Sequence, residues 1–210
     1  MRPAHPRPRA LEQLVQDFAI HSVGGSEVEG VQVTGVTIAS GDARPGDLFV
    51  ALPGANAHGA RFAEAAVKSG AVAVLTDVAG AELAAGCSAP VLIVDNVRAH
   101  LGDVAAWVYG TAELGIPTFG VTGTNGKTSV VYLLTALLGQ LAVSSGLSTT
   151  AERRIGDEAI PSGLTTPEAS ELHGLLAVMK ERSVGAVALE VSAQALSRHR
   201  VDGVHFDVVG

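Results

Sequence analysis

The sequence predicts an α/β protein, a small amino-terminal α/β domain followed by an incomplete P-loop-type parallel-sheet domain. Three observations carry this. Segments with helical apolar spacing alternate with short apolar runs along most of the 210 residues, as in sheets covered by helices. A glycine-rich loop containing Gly123 and Gly126 stands between one such run and a long helical segment. Residues 184–191 form a nearly continuous apolar run, as expected of an inner parallel strand.

Composition sets the bounds. Hydrophobic residues make up 47% and charged residues 17%, so the chain can bury a core and is not disordered as a whole. Lys and Arg number 14 against 21 Asp and Glu, a net charge of −7. That is no global basic footprint, and nucleic acid is not an expected partner. Cys87 is the single cysteine; it excludes an internal disulfide, matches no zinc spacing and fits a reducing compartment. Residues 1–9 interleave Pro3, Pro6 and Pro8 with Arg2, Arg7 and Arg9, and no apolar signal segment follows. They read as a disordered tail, because proline blocks helix and sheet pairing alike. The longest apolar stretch, residues 130–138, is far shorter than the ~20 residues of a membrane span. A cytoplasmic protein without membrane insertion is expected.

From the amino terminus, Leu11, Leu14, Val15 and Phe18 recur at i, i+3, i+4 and i+7. They predict a helix over residues 10–20, ended by Gly24 and Gly25. Val31, Val33, Val36 and Ile38 read as a strand kinked at Gly35, and Arg44-Pro45-Gly46-Asp47 is turn chemistry before a buried strand at 48–52. A helix at 61–69, a strand at 71–76, a short helix at 79–85 and a strand at 91–94 follow. Val97, Leu101, Val104 and Val108 then mark a helix that stops at Gly110. These elements make residues 10–112 one domain and residues 113–210 a second.

In the second domain a strand at 118–122 precedes the glycine loop and a helix at 127–138. Another helix runs to about residue 182, with Thr166 as its cap and Pro167 in its first position. The apolar strand at 184–191 and a last strand at 205–209 complete the series. The chain ends on what reads as a core strand with no helix over it, an unusual finish for a domain; a portion of a longer chain is expected. Trp107 and Tyr109 are expected to pack or to sit at a domain boundary, and His58 and His173 receive no functional role.

The strongest chemical signal is Gly120-Val121-Thr122-Gly123-Thr124-Asn125-Gly126-Lys127-Thr128. A polyphosphate is best held by successive backbone N–H groups at a helix N-terminus, where the helix dipole also favours negative charge. Gly123, Thr124, Asn125, Gly126, Lys127, Thr128 and Ser129 are the candidate nucleotide-binding residues. Lys127 would neutralise the β- and γ-phosphates, and the Thr128 hydroxyl would bind Mg2+. The generic G-x-x-x-x-G-K-[ST] pattern is not met literally, since Val121 stands where its first glycine would be. The match is to a tighter T-G-T-N-G-K-T loop. Glu190, closing the strand beside this loop, is the candidate metal carboxylate, at the carboxyl end of a parallel strand where ligands bind in open α/β sheets. Lys127 and Glu190 are thus the candidate catalytic pair, Thr128 and Glu190 the candidate metal ligands. The second domain reads as an ATPase domain.

Three features together resemble the Mur ligases, the ATP-dependent amide-bond-forming enzymes of peptidoglycan precursor synthesis. The first is Arg44-Pro45-Gly46-Asp47-Leu48-Phe49-Val50-Ala51-Leu52-Pro53-Gly54, continuing to His58-Gly59 and Gly70-Ala71-Val72-Ala73-Val74-Leu75. The second is the Thr122-to-Thr128 loop. The third is Leu164-Thr165-Thr166-Pro167-Glu168-Ala169 with Glu190-Val191-Ser192. The resemblance spans roughly residues 10–210. Within the family it points to the branch that joins meso-diaminopimelate or L-lysine, as third amino acid, to UDP-N-acetylmuramoyl-L-alanyl-D-glutamate.

The resemblance implies a set of roles. ATP and Mg2+ would bind at the loop and Glu190. Ile38, Ser40, Ala55, Asn56 and Ala57 would contact the uridine diphosphate. Thr165, Thr166, Ser192, Arg198 and Arg200 would contact the muramoyl-dipeptide, since hydroxyls and guanidinium groups suit a diphosphate sugar bearing carboxylates. UDP-N-acetylmuramoyl-dipeptide and an amino acid would be the substrates, and the full-length protein would be monomeric. The chain departs from the family pattern at Ala39-Ser40-Gly41, Ser192-Ala193-Gln194 and Arg198, where relatives carry Asp-Ser-Arg, Ser-Ser-His and a neutral residue. Two readings stay open: an incomplete, inactive portion of the ligase, and a non-catalytic sugar-nucleotide- or partner-binding paralogue.

Overall fold

The computed structural model describes residues 1–22, 27–161 and 163–210. Gly24 and Gly25, expected to end the first helix, lie outside the described residues. The chain divides into two compact units, His5–Tyr109 and Gly110–Gly210, the latter taking in Met1–Ala4. Among the described residues, no helix is long and apolar enough to cross a membrane.

The first unit runs β1 (Arg9–Ala10), α1 (Leu11–Asp17), β2 (His21–Ser22), β3 (Gln32–Val33), β4 (Gly35–Thr37), β5 (Asp47–Val50), α2 (Ala63–Lys68), β6 (Ala71–Thr76), α3 (Val78–Leu83), β7 (Val91–Ile93) and α4 (Val97–Tyr109). Its main sheet has the order β2-β7-β6-β5-β4, parallel except for β2. Phe49 of β5 and Val74 of β6 pack with Ala63 and Ala66 of α2 and Ala81 of α3. Small residues on these short helices let them sit close to the sheet. The anticipated 31–38 strand is two strands, because Gln32 and Val33 pair with β1, while from Thr34, whose N–H donates to the Gly46 carbonyl at 2.8 Å, the chain runs beside β5.

Arg9 belongs to the fold rather than to the tail. It pairs with Val33 through β1, and its guanidinium lies 4.7 Å from the centre of the Trp107 ring. Trp107 donates its indole N–H to Asp17 at 2.8 Å, fastening α4 to α1. Tyr109 closes α4 with its hydroxyl accepting from the Val36 N–H at 3.1 Å. Both aromatics serve packing.

The second unit runs β8 (Thr118–Val121), α5 (Lys127–Gln140), β9 (Ser145–Ser148), β10 (Glu152–Ile155), β11 (Glu158–Pro161), α6 (Ala169–Glu181), β12 (Ala186–Glu190), α7 (Ala193–Ser197) and β13 (Val208–Val209). Its sheet order is β11-β10-β9-β12-β8-β13. The four strands β9, β12, β8 and β13 are parallel, and β10 and β11 extend the sheet antiparallel. Side chains alternate across β12 as the pleat requires. Ala188 faces Val131 of α5 with Val121 and Leu147, while Val187 and Leu189 face Leu172, Leu175, Leu176 and Met179 of α6.

Two expectations are corrected here. The hairpin β10–β11 falls in a stretch without an assigned element. Its two-residue Gly156-Asp157 turn, with Gly156 at φ +58°, is the signal that identifies it. Thr166 and Pro167 do not start α6: Glu168 occupies the N-cap position and caps with no side chain, because the Thr166 hydroxyl is engaged elsewhere. The terminal strand is uncovered, as the sequence reading anticipates. β13 comprises only Val208–Val209 at the sheet edge, with both valines exposed.

His173 of α6 is fully buried and neutral. The Thr111 hydroxyl donates to its Nδ1 at 2.7 Å and its Nε2–H donates to the Asp202 carbonyl at 2.9 Å. Burial lowers its pKa from 6.5 to about 4, against the opposing effect of the Asp202 carbonyl. The unfolded chain therefore binds a proton below pH 6.5 that the folded chain refuses until about pH 4. Stability from this group is complete above that window and lost as pH falls through it, by roughly 3 kcal/mol in total. Chemical denaturation across the window is expected to show His173→Gln losing less stability on acidification than the parent; equal losses would refute the linkage.

Candidate functional site

The site in the second unit grows from the carboxyl ends of three neighbouring parallel strands. β8 leads into the glycine loop, β12 ends on Glu190, and β9 is followed by Thr149 and Thr150. The loop turns into α5 at Gly126, whose φ of +86° is a left-handed conformation that costs any residue with a Cβ. No side chain caps α5. The amides of its first turn are thus left for an anion, with the positive end of a 14-residue helix behind them.

Glu190 is the centre of this arrangement. It is only 2% exposed, and a buried carboxylate is tolerable only when its oxygens are hydrogen-bonded. Thr128, in the first turn of α5, donates its hydroxyl to Oε1 at 2.7 Å. The Thr150 N–H donates to Oε2 at 2.5 Å. One carboxylate thereby ties together the helix start, the end of β12 and the segment after β9. Lys127 folds back to donate its ammonium to the Gly123 carbonyl at 2.6 Å. Thr124, Asn125 and Ser129 are exposed along the same loop and helix start.

A second layer lies under Glu190. The buried Thr166 hydroxyl donates to the Glu190 carbonyl at 3.0 Å and accepts from the Ser192 N–H at 3.2 Å. This bridge is why Thr166 does not cap α6. Arg200 is buried against the same segment, paired with Glu168 at 2.8 Å and donating to the Thr166 carbonyl at 3.4 Å. Thr165 accepts from the Thr150 hydroxyl at 3.0 Å. Ser192 caps α7 by accepting from the Ala195 N–H at 3.1 Å. Arg198, at the end of that helix, is exposed. Thr165, Thr166, Ser192 and Arg200 therefore gather with Glu190 through a chain of direct hydrogen bonds and the Arg200–Glu168 pair. Thr150 escaped the sequence reading because β9, the strand that delivers it, was not recognised.

In the first unit, Ile38 and Ser40 follow the end of β4, and Ala55, Asn56 and Ala57 form the exposed tip of the loop after β5. Pro53 and His58 close that loop by an antiparallel bridge. His58 then reaches Asp77, at the end of β6, with Nε2 at 3.1 Å, while its Nδ1 accepts from the Ala60 N–H at 3.1 Å. Asp77 in turn caps α3 by accepting from the Gly80 N–H at 2.7 Å. His58 is thus a clasp holding the loop to the carboxyl end of the sheet. Its pairing with Asp77 spans 19 residues and carries no local sequence signal.

Residues 121–209 match the Mur ligase middle domain, and residues 32–109 match the Mur ligase family, catalytic domain. A UDP-N-acetylmuramyl-tripeptide synthetase of Leifsonia xyli subsp. xyli is 59% identical over 210 residues, all of this chain and 40% of that protein. A UDP-N-acetylmuramoyl-L-alanyl-D-glutamate--2,6-diaminopimelate ligase of Streptomyces avermitilis is 47% identical over 99% of this chain and 40% of its own length. The chain thus spans about 40% of the length of these curated relatives. In fold, a solved UDP-N-acetylmuramoyl-L-alanyl-D-glutamate--2,6-diaminopimelate ligase superposes with a TM-score of 0.69 at 22% identity, over 88% of this chain and 37% of that one.

The Thr166 bridge sets a measurable stability. Thr166→Val keeps the shape and leaves the Ser192 N–H without its partner, so chemical denaturation is expected to show a loss of about 1–3 kcal/mol. A loss below roughly 0.5 kcal/mol, the size of an ordinary surface change, would show that the bridge does not hold the site.

Proposed function

The chain belongs to the Mur ligase family, and from that premise we propose that it is a portion of an ATP-dependent amide-bond ligase of peptidoglycan precursor synthesis. The reaction assigned is addition of the third amino acid to UDP-N-acetylmuramoyl-L-alanyl-D-glutamate in the cytoplasm, by a protein monomeric at full length. The observation that carries the reading is the buried Glu190 carboxylate joined to the Thr128 hydroxyl at 2.7 Å, beside the uncapped start of α5. The names of the relatives support the substrate class.

The residues fit the groups this chemistry needs. Mg2+ takes hard oxygen donors and usually keeps substrate phosphates among its ligands. Thr128 Oγ1 and Glu190 Oε1 are such donors, already side by side, and would hold the ion. When bound, it would offset charge on the terminal phosphates of ATP. The first-turn amides of α5 would receive phosphate oxygens. The Lys127 ammonium would exchange its Gly123 carbonyl for those phosphates. Thr150, through its amide, would keep Glu190 oriented.

In the reaction the γ-phosphoryl group of ATP would pass to the substrate's D-glutamyl side-chain carboxylate, giving an acyl phosphate and ADP, and the amine of the incoming amino acid would form the amide bond with loss of phosphate and a proton. The chain contributes positioning and charge neutralisation; no protein nucleophile is required. Ile38, Ser40, Ala55, Asn56 and Ala57 are assigned to the uridine diphosphate. Thr165, Thr166, Ser192, Arg198 and Arg200 are assigned to the muramoyl-dipeptide, with Thr166 and Arg200 acting from within the layer that supports Glu190.

Calorimetry with the 210-residue chain tests this. MgATP is expected to bind saturably, and Lys127→Ala to weaken it at least tenfold, roughly 1.4 kcal/mol, with UDP-N-acetylmuramoyl-dipeptide affinity unchanged. Equal loss of both ligands, or no effect on MgATP, would overturn the assignment. The 210-residue chain alone is expected to form no ATP-dependent amide product; detectable product would show that it holds a complete active site.

A further inference from the structure

Both oxygens of Glu190 are held, and one side of α5 reaches each of them. Thr128 and Tyr132 stand four residues apart in the helix, so they lie one above the other on the same side. Thr128 touches Oε1 directly at 2.7 Å. Oε2 takes the Thr150 N–H at 2.5 Å, and Thr150 sits in the turn that joins β9 to β10. Tyr132 reaches that turn through Glu152.

The turn is closed locally by Thr149, which is fully buried. Its N–H and its hydroxyl both donate to the Glu152 carbonyl, at 2.9 and 3.0 Å. Its Oγ1 accepts from the Ala151 and Glu152 N–H groups at 3.2 and 3.1 Å. These bonds fix the shape of the turn but not its distance from α5. That distance is set by the Glu152 side chain. Its Oε1 accepts from the Tyr132 hydroxyl at 3.0 Å and from Arg154 at 2.9 Å. The Arg154 guanidinium lies 5.6 Å from the centre of the Tyr132 ring. A hydrogen bond, an ion pair and a cation–π contact thus close a triangle. The side chains of Glu152 and Arg154 are only 27% and 34% exposed, so water and salt screen the pair less than at an open surface.

We propose that Glu152 is a positioning residue for the metal carboxylate. It ties the β9–β10 turn to the second turn of α5 and so holds the Thr150 N–H against Glu190 Oε2, leaving Oε1 to Thr128 and the cation. The inference rests on the reading of Glu190 as a Mg2+ ligand. Hydrogen bonds that orient a metal's ligands typically cost about 10–100-fold in metal affinity when they are removed. Glu152 touches no ligand itself. Its loss frees the turn and lets Glu190 swing, while the first-turn amides of α5 and Lys127 stay in place. The effect therefore falls on the Mg2+-dependent part of ATP binding and spares the part that the phosphates gain from the helix start.

Two measurements on the 210-residue chain test this with Glu152→Ala, Tyr132→Phe and Glu152→Gln, the last keeping an oxygen for Tyr132 and Arg154. The first is amide hydrogen exchange without ligand. The Thr150 amide is expected to exchange roughly tenfold faster in Glu152→Ala and Tyr132→Phe, with the amides of Leu175 and Met179 inside α6 unchanged, since a local opening leaves the core protected. Unchanged exchange at Thr150, or equal acceleration in α6, would overturn the proposal. The second is calorimetry of ATP with Mg2+ and with EDTA. Affinity with Mg2+ is expected to fall roughly tenfold in Glu152→Ala and Tyr132→Phe and to return to within about twofold of the parent in Glu152→Gln, with affinity in EDTA unchanged in all three. Equal loss with and without Mg2+, or a Glu152→Gln variant as weak as Glu152→Ala, would also overturn it. A parent that binds ATP equally with Mg2+ and with EDTA would overturn the metal assignment of Glu190 instead, and exchange at Thr150 would still decide whether Glu152 holds the turn.

Discussion

The bond from the Thr128 hydroxyl to the Glu190 carboxylate organises the second unit. An ionisable side chain is buried at the end of a central strand, and its position has a cost that only donors can offset. Here the donors come from different parts of the chain: a hydroxyl from the first turn of α5 and a backbone amide from the segment after β9. The carboxylate therefore fixes where the helix begins relative to two strands. The glycine loop that precedes the helix, with Gly126 left-handed, has its path set by that anchor. If Glu190 pointed elsewhere, the uncapped amides of α5 and the Lys127 ammonium would have no shared focus.

Below this anchor the structure commits further polar groups to architecture. Thr166 links the end of β12 to Ser192, Arg200 braces that segment against Glu168, and His173 ties Thr111 to Asp202. Each is a long-range tie at the edge of an apolar core, made by side-chain atoms that meet partners inside the protein, although Arg200 Nε is buried without one. The same economy appears in the first unit, where His58 and Asp77 hold the loop carrying Ala55, Asn56 and Ala57. Loops are rigid only when something outside them holds them, and these pairs supply that hold. Among the described residues, Val130, Leu133 and Leu137 of α5 are the contrasting case, apolar side chains left exposed.

The main elements and the glycine loop are readable because their signals are local. Helical spacing in α4, the apolar runs of β6 and β12, and the order strand, glycine loop, helix at 118–140 all lie within windows of a few residues. The β10–β11 hairpin was missed because Arg153 and Arg154 and the flanking glutamates mask its alternation; Arg153 is nonetheless buried, paired with Glu171 at 2.5 Å. A charged residue inside a strand is intelligible only when the partner 18 positions away is known. The terminal strand was legible as apolar and uncovered, and Val208 and Val209 are exposed at the sheet edge.

The sequence by itself determined the α/β class, the alternation of elements, the glycine loop at a helix start and the candidate residues Lys127, Thr128 and Glu190. Those follow from backbone stereochemistry and short-range spacing, which a linear string records. Tertiary structure alone decided that Thr128 meets Glu190 across 62 positions, that Thr150 joins them, that Thr166 is a strand-end bridge rather than a helix cap, and that His58 is a clasp. Hydrogen-bond partners of buried polar groups are chosen by which strand ends the sheet order places side by side. That order is a global outcome of packing, invisible in any local window.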